Sequence, residues 1–462
     1  MLRKIPAFLT RLIGRDNGAR RTQTEPVIIP RDQHPISRKQ ISRAALNVLY
    51  GLHEAGFDAF LVGGCLRDIL TGIQPKDFDV VTNATPEEIE RIFRRARIIG
   101  RRFRLVHVRF GPEVIEVATF RALGEPGDGD SSHSREGQIL RDNVYGNIEE
   151  DALRRDFTVN ALYYNIADFA LYDFAGSMQD IQNKTLRLMG DPAQRYREDP
   201  VRMIRAVRFA AKLDFDIDPD TEAPIHELAP LMQQVPPARL FDEMLKLFLS
   251  GHADYTLELL QDYGLFDALF PATAETLEDS DQRLLEAAMI NTDRRLAQDK
   301  PVTPAFLFAV LLWAPMRQLM ARYIEDGMPP SVALNKASGQ VIAEQVSTIA
   351  IPRRFSSVVR EIWDLQPRLP RRHGNRAAQL VTHPRFRAAY DFLLLREEAG
   401  EIEPGLGQWW TDYQAADEDT RDAMAAAVAK GAPAAGNNGT GRKRRRRRRS
   451  RGGSDSGGGE SA

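Results

Sequence analysis

Cysteine is nearly absent from this chain: of 462 residues, only Cys65 is one. A single thiol excludes an internal disulfide and any cysteine-built zinc cluster, and it fits a reducing cytoplasm. Long hydrophobic runs are missing too. The longest, near Ala305–Met316, falls short of the roughly 20 apolar residues a membrane span requires, so no integral membrane span is expected. No secretory signal is visible. The opening MLRKIPAFLTRLIGR is basic and mildly amphipathic, but Pro6 and Gly14 interrupt a helix, and residues 1–35 read as a flexible leader. An overall excess of one charge is also lacking, with 63 basic side chains against 64 acidic ones. That balance conceals a separation. Residues 432–462 hold nine basic side chains (Arg442, Lys443, Arg444, Arg445, Arg446, Arg447, Arg448, Arg449 and Arg451) against Asp455 and Glu460. Nine against two leaves +7 on the tail, so the remainder carries −8 to reach the net −1. An acidic body with a detached basic tail suits tethering to a polyanion.

What the chain does have is concentrated in residues 61–82, LVGGCLRDILTGIQPKDFDVVT. Leu61-Val62 end an apolar run that reads as a strand, Gly63-Gly64 make a turn, and Cys65–Leu70 reads as a short helix. After Gly72 and Pro75 a second strand carries Asp77 and Asp79 on one face and Phe78 and Val80 on the other. Two carboxylates at that spacing repel unless a cation sits between them, and a hard ion such as Mg2+ answers that need. The turn offers free backbone N–H groups to a phosphate.

Around this stretch the periodicity is readable. Ile41–Ala55 reads as a helix capped by Ser37 or Ser42. Asn83–Glu88 begins a second, expected to run to about Ala96. Strands follow at Ile98-Ile99, Arg101–Val108 and Glu113–Phe120, the last exposing Glu116 beside the aspartate pair. The glycine-rich stretch 124–137 reads as a mobile loop. Leu153–Ala161, LRRDFTVNA, sets three charges ahead of a core-like run. Tyr196–Leu213 reads as one helix with an apolar stripe at Val201, Ile204, Val207 and Ala211. Its basic stripe runs through Arg202, Arg205, Arg208 and Lys212, with Glu198 and Asp199 ahead of Pro200. From Pro237 to about Gln414 the pattern is helical, and the arginines of 353–387 are placed to line an RNA path or a solvated surface. Arg239 and Glu243, one turn apart, read as a brace for the preceding helix or as a plain ion pair.

The order G-G-x-x-R-D, then D-x-D, then R-R-D-F-T-x-N-A, then E-D-x-x-R-x-x-R resembles nucleotidyltransferases of the polymerase-beta superfamily. The resemblance is strongest to the branch that holds bacterial poly(A) polymerases and CCA-adding enzymes. Gly100–Val108 and the arginine-rich C-terminus make it closer to the bacterial poly(A) polymerase I family. GGCLRD differs from the commoner GGxVRD only by a conservative change. The resemblance implies an α+β fold: a small mixed-sheet, polymerase-beta-like palm over 36–190, a helical neck over 191–250, a helical RNA-binding body over 251–425 and a disordered basic tail over 426–462. It implies untemplated addition of AMP from ATP to RNA 3′ ends, in the cytoplasm, feeding the RNA decay machinery.

The same resemblance assigns residues. Asp77 and Asp79 would hold two Mg2+, with Glu116 or Asp156 as the further carboxylate. Gly63, Gly64, Arg67, Asp68, Arg121, Arg154, Arg155 and Asn160 would surround the triphosphate. Asp199, Arg202, Arg205 and Arg208 would read the base, a carboxylate accepting from the adenine amine and a guanidinium donating to a ring nitrogen. The run Arg442–Arg449 would bind RNA phosphates without sequence preference. The alternative within the branch is a CCA-adding tRNA nucleotidyltransferase. A non-catalytic RNA-binding adaptor is the alternative outside it.

Overall fold

The computed structural model describes residues 25–100, 104–122, 131–133, 139–142 and 144–431. The basic tail with Arg442–Arg449, most of the leader, and Arg101–Phe103 lie outside them. Twelve strands occur in the described chain: β1 Val27–Ile29, β2 Ala59–Val62, β3 Asp79–Thr82, β4 Ala96–Ile99, β5 Leu105–Phe110, β6 Glu113–Thr119, β7 Ser131–His133, β8 Ile139–Asp142, β9 Leu162–Asn165, β10 Leu171–Asp173, β11 Thr185–Leu186 and β12 Asp216–Ile217. Eight of them form one sheet in the order β1-β10-β9-β2-β3-β6-β5-β4. All its pairings are antiparallel except β3 on β6, which is parallel.

Alternation along these strands gives the sheet two apolar faces. Ala59, Leu61, Val80, Ile115 and Val117 join the main core with the helix Arg43–Glu54. Phe60, Val62 and Val81 turn the other way, onto Phe120, Tyr163 and Phe174. The helix Arg43–Glu54 starts where Ser42 Oγ accepts from the Ala45 N–H at 3.1 Å, satisfying one of the first turn's orphan donors. The rest of the chain is helical from Pro237 to Gly431. The segments expected as palm, neck and body share one apolar cluster that runs from Ile36 to Ala399. Among the described residues no single helix is long and apolar enough to cross a membrane. The bent pair Pro304–Leu311 and Trp313–Glu325 passes such a test only jointly, and Leu307–Leu312 are core residues.

Four expectations need correction. The leader is not featureless to residue 35, because β1 pairs with β10. The second strand begins at Asp79, and Asp77 lies in the extended segment before it. The helix expected to reach Ala96 is Pro86–Ile92, capped by Thr85 with Glu88 completing a capping box. Its tail is drawn into β4 instead, by pairing with β5. The stretch 196–213 is two helices, Pro192–Glu198 and Val201–Leu213, because a residue before proline avoids helical backbone. Asp199 sits at φ −150° and ψ 94°. In addition, 131–133 of the expected loop forms strand β7 and pairs with β8 just beyond it.

Gly63 holds φ 81° and ψ −140° at the turn into the helix Gly64–Leu70, a conformation that side chains resist. A Cβ there would stand 3.6 Å from Arg155 Nη1. Gly63→Ala is expected to lower stability by about 1–3 kcal/mol, read as a lower urea midpoint at unchanged slope.

Candidate active site

The parallel pairing of β3 and β6 sets Asp79 opposite Glu116, and Val81 opposite Ala118. These four residues, with Leu105, Arg121, Asp151, Arg154 and Arg155, line an open cleft of about 290 Å³. Asp77, Asp79 and Glu116 are exposed, while Phe78 and Val80 between and after the aspartates are buried. Lost hydration in the cleft, then the neighbouring Glu116, pushes the Asp79 carboxyl up to about 6; Asp77 adds to the rise and Arg155 opposes it. His107 on β5 faces Glu116 across the ladder, with Nε2 3.1 Å from Oε1.

The opposite wall is cationic. Arg155 donates from Nε to the Tyr163 hydroxyl at 2.7 Å and from Nη2 to Asp151 Oδ2 at 2.9 Å, while Tyr163 donates to that same oxygen at 2.8 Å. Burial alone would lower the Arg155 pKa, but Tyr163 and Asp151 hold it above its ordinary value. Arg154 donates to the Ala122 carbonyl at 3.1 Å. Burial, then Arg121, Arg195, Arg155 and Arg202, pushes the Arg154 pKa down to about 9. Guanidiniums that depress one another in this way are relieved by a polyanion. Asp151 and Tyr163 were not singled out from sequence. The signal was there, since Asp151 precedes Arg155 by one helical turn, but Tyr163 reads as an ordinary strand residue.

The other expected triphosphate residues do not line this cleft. Arg67 is buried and bonds through Nε to Asp68 at 2.9 Å and through Nη1 to Asn160 at 2.6 Å. Its guanidinium lies 4.9 Å from the Phe209 ring. Asp68 also accepts from Lys212 at 3.0 Å. Asp156 accepts from the Phe157 N–H at 2.8 Å, from Asn160 at 3.0 Å and from Arg205 Nε at 2.9 Å. Burial acts to raise its pKa, yet Arg205 and Asn160 hold that carboxyl well below the usual carboxylate range. The basic stripe of the helix Val201–Leu213 therefore faces the sheet domain through Arg205 and Lys212.

The base-reading candidates form a separate cluster. Asp199 is gripped in a bidentate pair by Arg239, at 2.8 and 2.7 Å. Glu243, the other half of the expected brace, pairs with Lys246 instead, at 2.9 Å. Arg202 is buried and donates from Nη1 to the Arg195 carbonyl at 2.7 Å and to Glu198 at 3.2 Å. Burial, then Arg205, pushes the Arg208 pKa down to about 10, and its Nε is buried without a partner among the described residues.

Three family models match the chain in succession: the poly A polymerase head domain over residues 59–187, the probable RNA and SrmB-binding site of polymerase A over 214–277, and the polymerase A arginine-rich C-terminus over 326–451. The poly(A) polymerase I of Salmonella typhi is 48% identical over 429 residues, 90% of this chain and 92% of that one. The chain belongs to the bacterial poly(A) polymerase I family. As a member of that family it is a nucleotidyltransferase. A CCA-adding enzyme of Listeria monocytogenes serotype 4a is 39% identical, but only over 217 residues, 47% of this chain and 53% of that one. A solved tRNA-processing enzyme in an apo form aligns with a TM-score of 0.58 at 20% identity, covering 86% of this chain and 98% of that one. At such identity it shows a shared fold alone.

Whether the cleft fits a divalent ion is decided by its donors. Among the described residues no three His, Cys, Asp or Glu side chains close around one point. Asp79 and Glu116 side by side, with Asp77 near, leave open positions, and Mg2+ needs them because it keeps waters and phosphate oxygens. The donor set fits.

The raised Asp79 pKa has a sign. A carboxyl easier to protonate when folded costs stability as pH rises from about 4 to about 6. Asp79→Asn is therefore expected to raise the Tm of the metal-free protein at pH 7.5, with the gain vanishing below about pH 4.

Proposed function

We propose that this chain extends RNA 3′ ends with AMP from ATP, without a nucleic-acid template, in the cleft between Asp79–Glu116 and Arg121–Arg154–Arg155. The observation that carries the reading is that cleft: a carboxylate pair faces a wall of guanidiniums, as transfer of a phosphoryl group from a triphosphate requires. Asp79 and Glu116, with Asp77 near them, would hold Mg2+ together with waters and phosphate oxygens, and the ion when bound supplies charge neutralisation at the phosphates and a more acidic attacking hydroxyl. Glu116, rather than Asp156, is the further carboxylate in this reading, because Asp156 is already spent on Arg205 and Asn160.

Arg154 and Arg155 hold the triphosphate, Arg155 with its fork oriented by Asp151 and Tyr163. Arg67, Asp68, Asn160, Asp156 and Arg205 act at one remove, by fixing the Gly63-Gly64 turn and the 201–213 helix against the sheet. Asp199 and Arg202 read adenine, and the bidentate grip of Arg239 presents the Asp199 carboxylate in one orientation. Residues 36–190 form the catalytic unit, 191–250 the base-reading neck and 251–425 the RNA-binding body. The single, buried Cys65, its thiol pushed up to about 12 by burial, suits work in a reducing cytoplasm. There the tailed product is a substrate for the RNA decay machinery.

Primer extension on a short 3′-hydroxyl RNA, with Mg2+ and each nucleotide separately, tests the reading. A long ladder with ATP alone, absent with Asp79→Ala, is expected; addition of C and A confined to tRNA would refute it. Glu116→Ala is expected to cut kcat by about 10²-fold or more with unchanged Tm. Asp156→Ala strands Arg205 and is expected to cost about 3 kcal/mol of stability, measured by urea denaturation. Arg239→Ala is expected to raise misincorporation of the other nucleotides more than it slows ATP use.

A further inference from the structure

Six of the nine arginines of 353–387 fall into two contrasting sets. Arg368 is spent on Asp364 at 3.2 Å, Arg385 on Glu361 at 2.9 Å and Arg387 on Asp391 at 3.0 Å. Arg371, Arg372 and Arg376, in and just after the loop that joins Arg353–Leu365 to Arg376–Val381, have no carboxylate within ion-pair distance among the described residues. Arg376 instead contacts His373 Nε2 at 2.6 Å. The Arg372 guanidinium stands 5.0 Å from the centre of the Trp409 ring. Burial alone acts on it, and its Nε is buried without a partner among the described residues.

Trp409 is itself one step in a stack. It lies against Tyr413, one turn along the helix Leu406–Ala415, at 4.9 Å and 17° between ring planes. Trp410, fully buried, meets it edge-on at 90° and donates to the Leu369 carbonyl at 3.3 Å. Arg421 anchors the far end, 5.6 Å from the Tyr413 ring, and donates to the Tyr413 carbonyl at 2.8 Å. The result is a ladder Arg372–Trp409–Tyr413, half-buried at Arg372 and Trp409 and edged by exposed Arg371 and Arg376. The helix that carries Arg421 ends at Gly431, ten residues before the first arginine of the basic run at Arg442.

We infer that this ladder is a docking platform for single-stranded RNA upstream of the reacting 3′ end. A base stacks on the outer face of the Arg372 guanidinium, which Trp409 backs, and Arg371 and Arg376 meet the flanking phosphates. Planar guanidinium and indole surfaces take any base by its face, so the platform suits a strand of varying sequence and a growing run of adenines. Uncompensated cations beside it supply the phosphate attraction that the ion-paired arginines cannot. This inference rests on the RNA-extending reading above.

The test uses the full chain and a 20-nucleotide oligo(A). Trp409→Leu is expected to weaken its Kd by about 5- to 150-fold, from the usual 1–3 kcal/mol per stacked base, and to remove a tryptophan quench on binding. Arg371→Ala and Arg376→Ala are each expected to lower the slope of log K against log salt by about 0.7. In all three, kcat at saturating RNA and the KM for ATP should be unchanged. Because Trp409 also packs on Trp410, Tm is measured for each variant. If Trp409→Leu loses its fold, the two surface arginine variants decide. Variants with native Tm that bind oligo(A) as the parent does would overturn the platform while leaving extension intact; an acidic peptide that competes as well as oligo(A) would overturn it too. A parent chain that extends no RNA would instead overturn the underlying function.

Discussion

The register of β3 on β6 is the constraint on which the cleft depends. Parallel pairing places Asp79 level with Glu116 and, two residues on, Val81 level with Ala118. A slip of one residue on either strand would send one carboxylate to the opposite face and bury it among Ile115, Val117 and Val80. The apolar pattern on both faces forbids that slip, since β3 contributes Val80 to one core and Val81 to the other. Two like charges are thereby held side by side, and lost hydration first, then the neighbouring Glu116, raise the Asp79 pKa. A perturbed carboxylate in a charged cleft marks a candidate site for chemistry.

A second set of charges holds the sheet against the helix that follows it. Arg67–Asp68–Lys212 and Asp156–Arg205 cross between the two, and Asn160 links them by bonding both Arg67 and Asp156. Buried pairs of this kind contribute little net stability, because desolvation offsets most of the attraction. Their geometry is directional, however, so they set one orientation of the Val201–Leu213 helix. That orientation carries Arg202 and the neighbouring Asp199 to their places, where Arg239 and Glu198 complete the arrangement. Signature residues of this family thus divide by work: some face the cleft, and others make the frame that aims them.

The body repeats the theme with a different outcome. Among the described residues, six of its arginines, Arg295, Arg317, Arg368, Arg385, Arg387 and Arg396, are neutralised by carboxylates. Those in the 371–376 stretch are not, and they stand beside a stacked tryptophan. Exposed charge left without a carboxylate beside a half-buried aromatic stack is what the inferred RNA platform rests on.

Much of this was legible in the chain itself. Asp79 and Glu116 were readable as neighbours on exposed strand faces because strand alternation is two-fold, and Ser42 and Thr85 mark helix starts because local hydrogen bonds make them so. The family followed from motif order, and the basic tail from composition alone. What only tertiary structure decided were questions of partner and distance. Sequence left Glu116 and Asp156 equivalent; in the fold Glu116 lines the cleft, while Asp156 bonds Arg205, 49 residues away. Arg67, read as a triphosphate residue, is buried against Asp68 and Asn160, and of the stripe read as base-reading, Arg205 and its neighbour Lys212 turn onto Asp156 and Asp68 of the sheet domain. Long-range contacts of arginine leave no local periodicity, so a charged stripe looks the same in sequence whether it meets water, a carboxylate or a substrate.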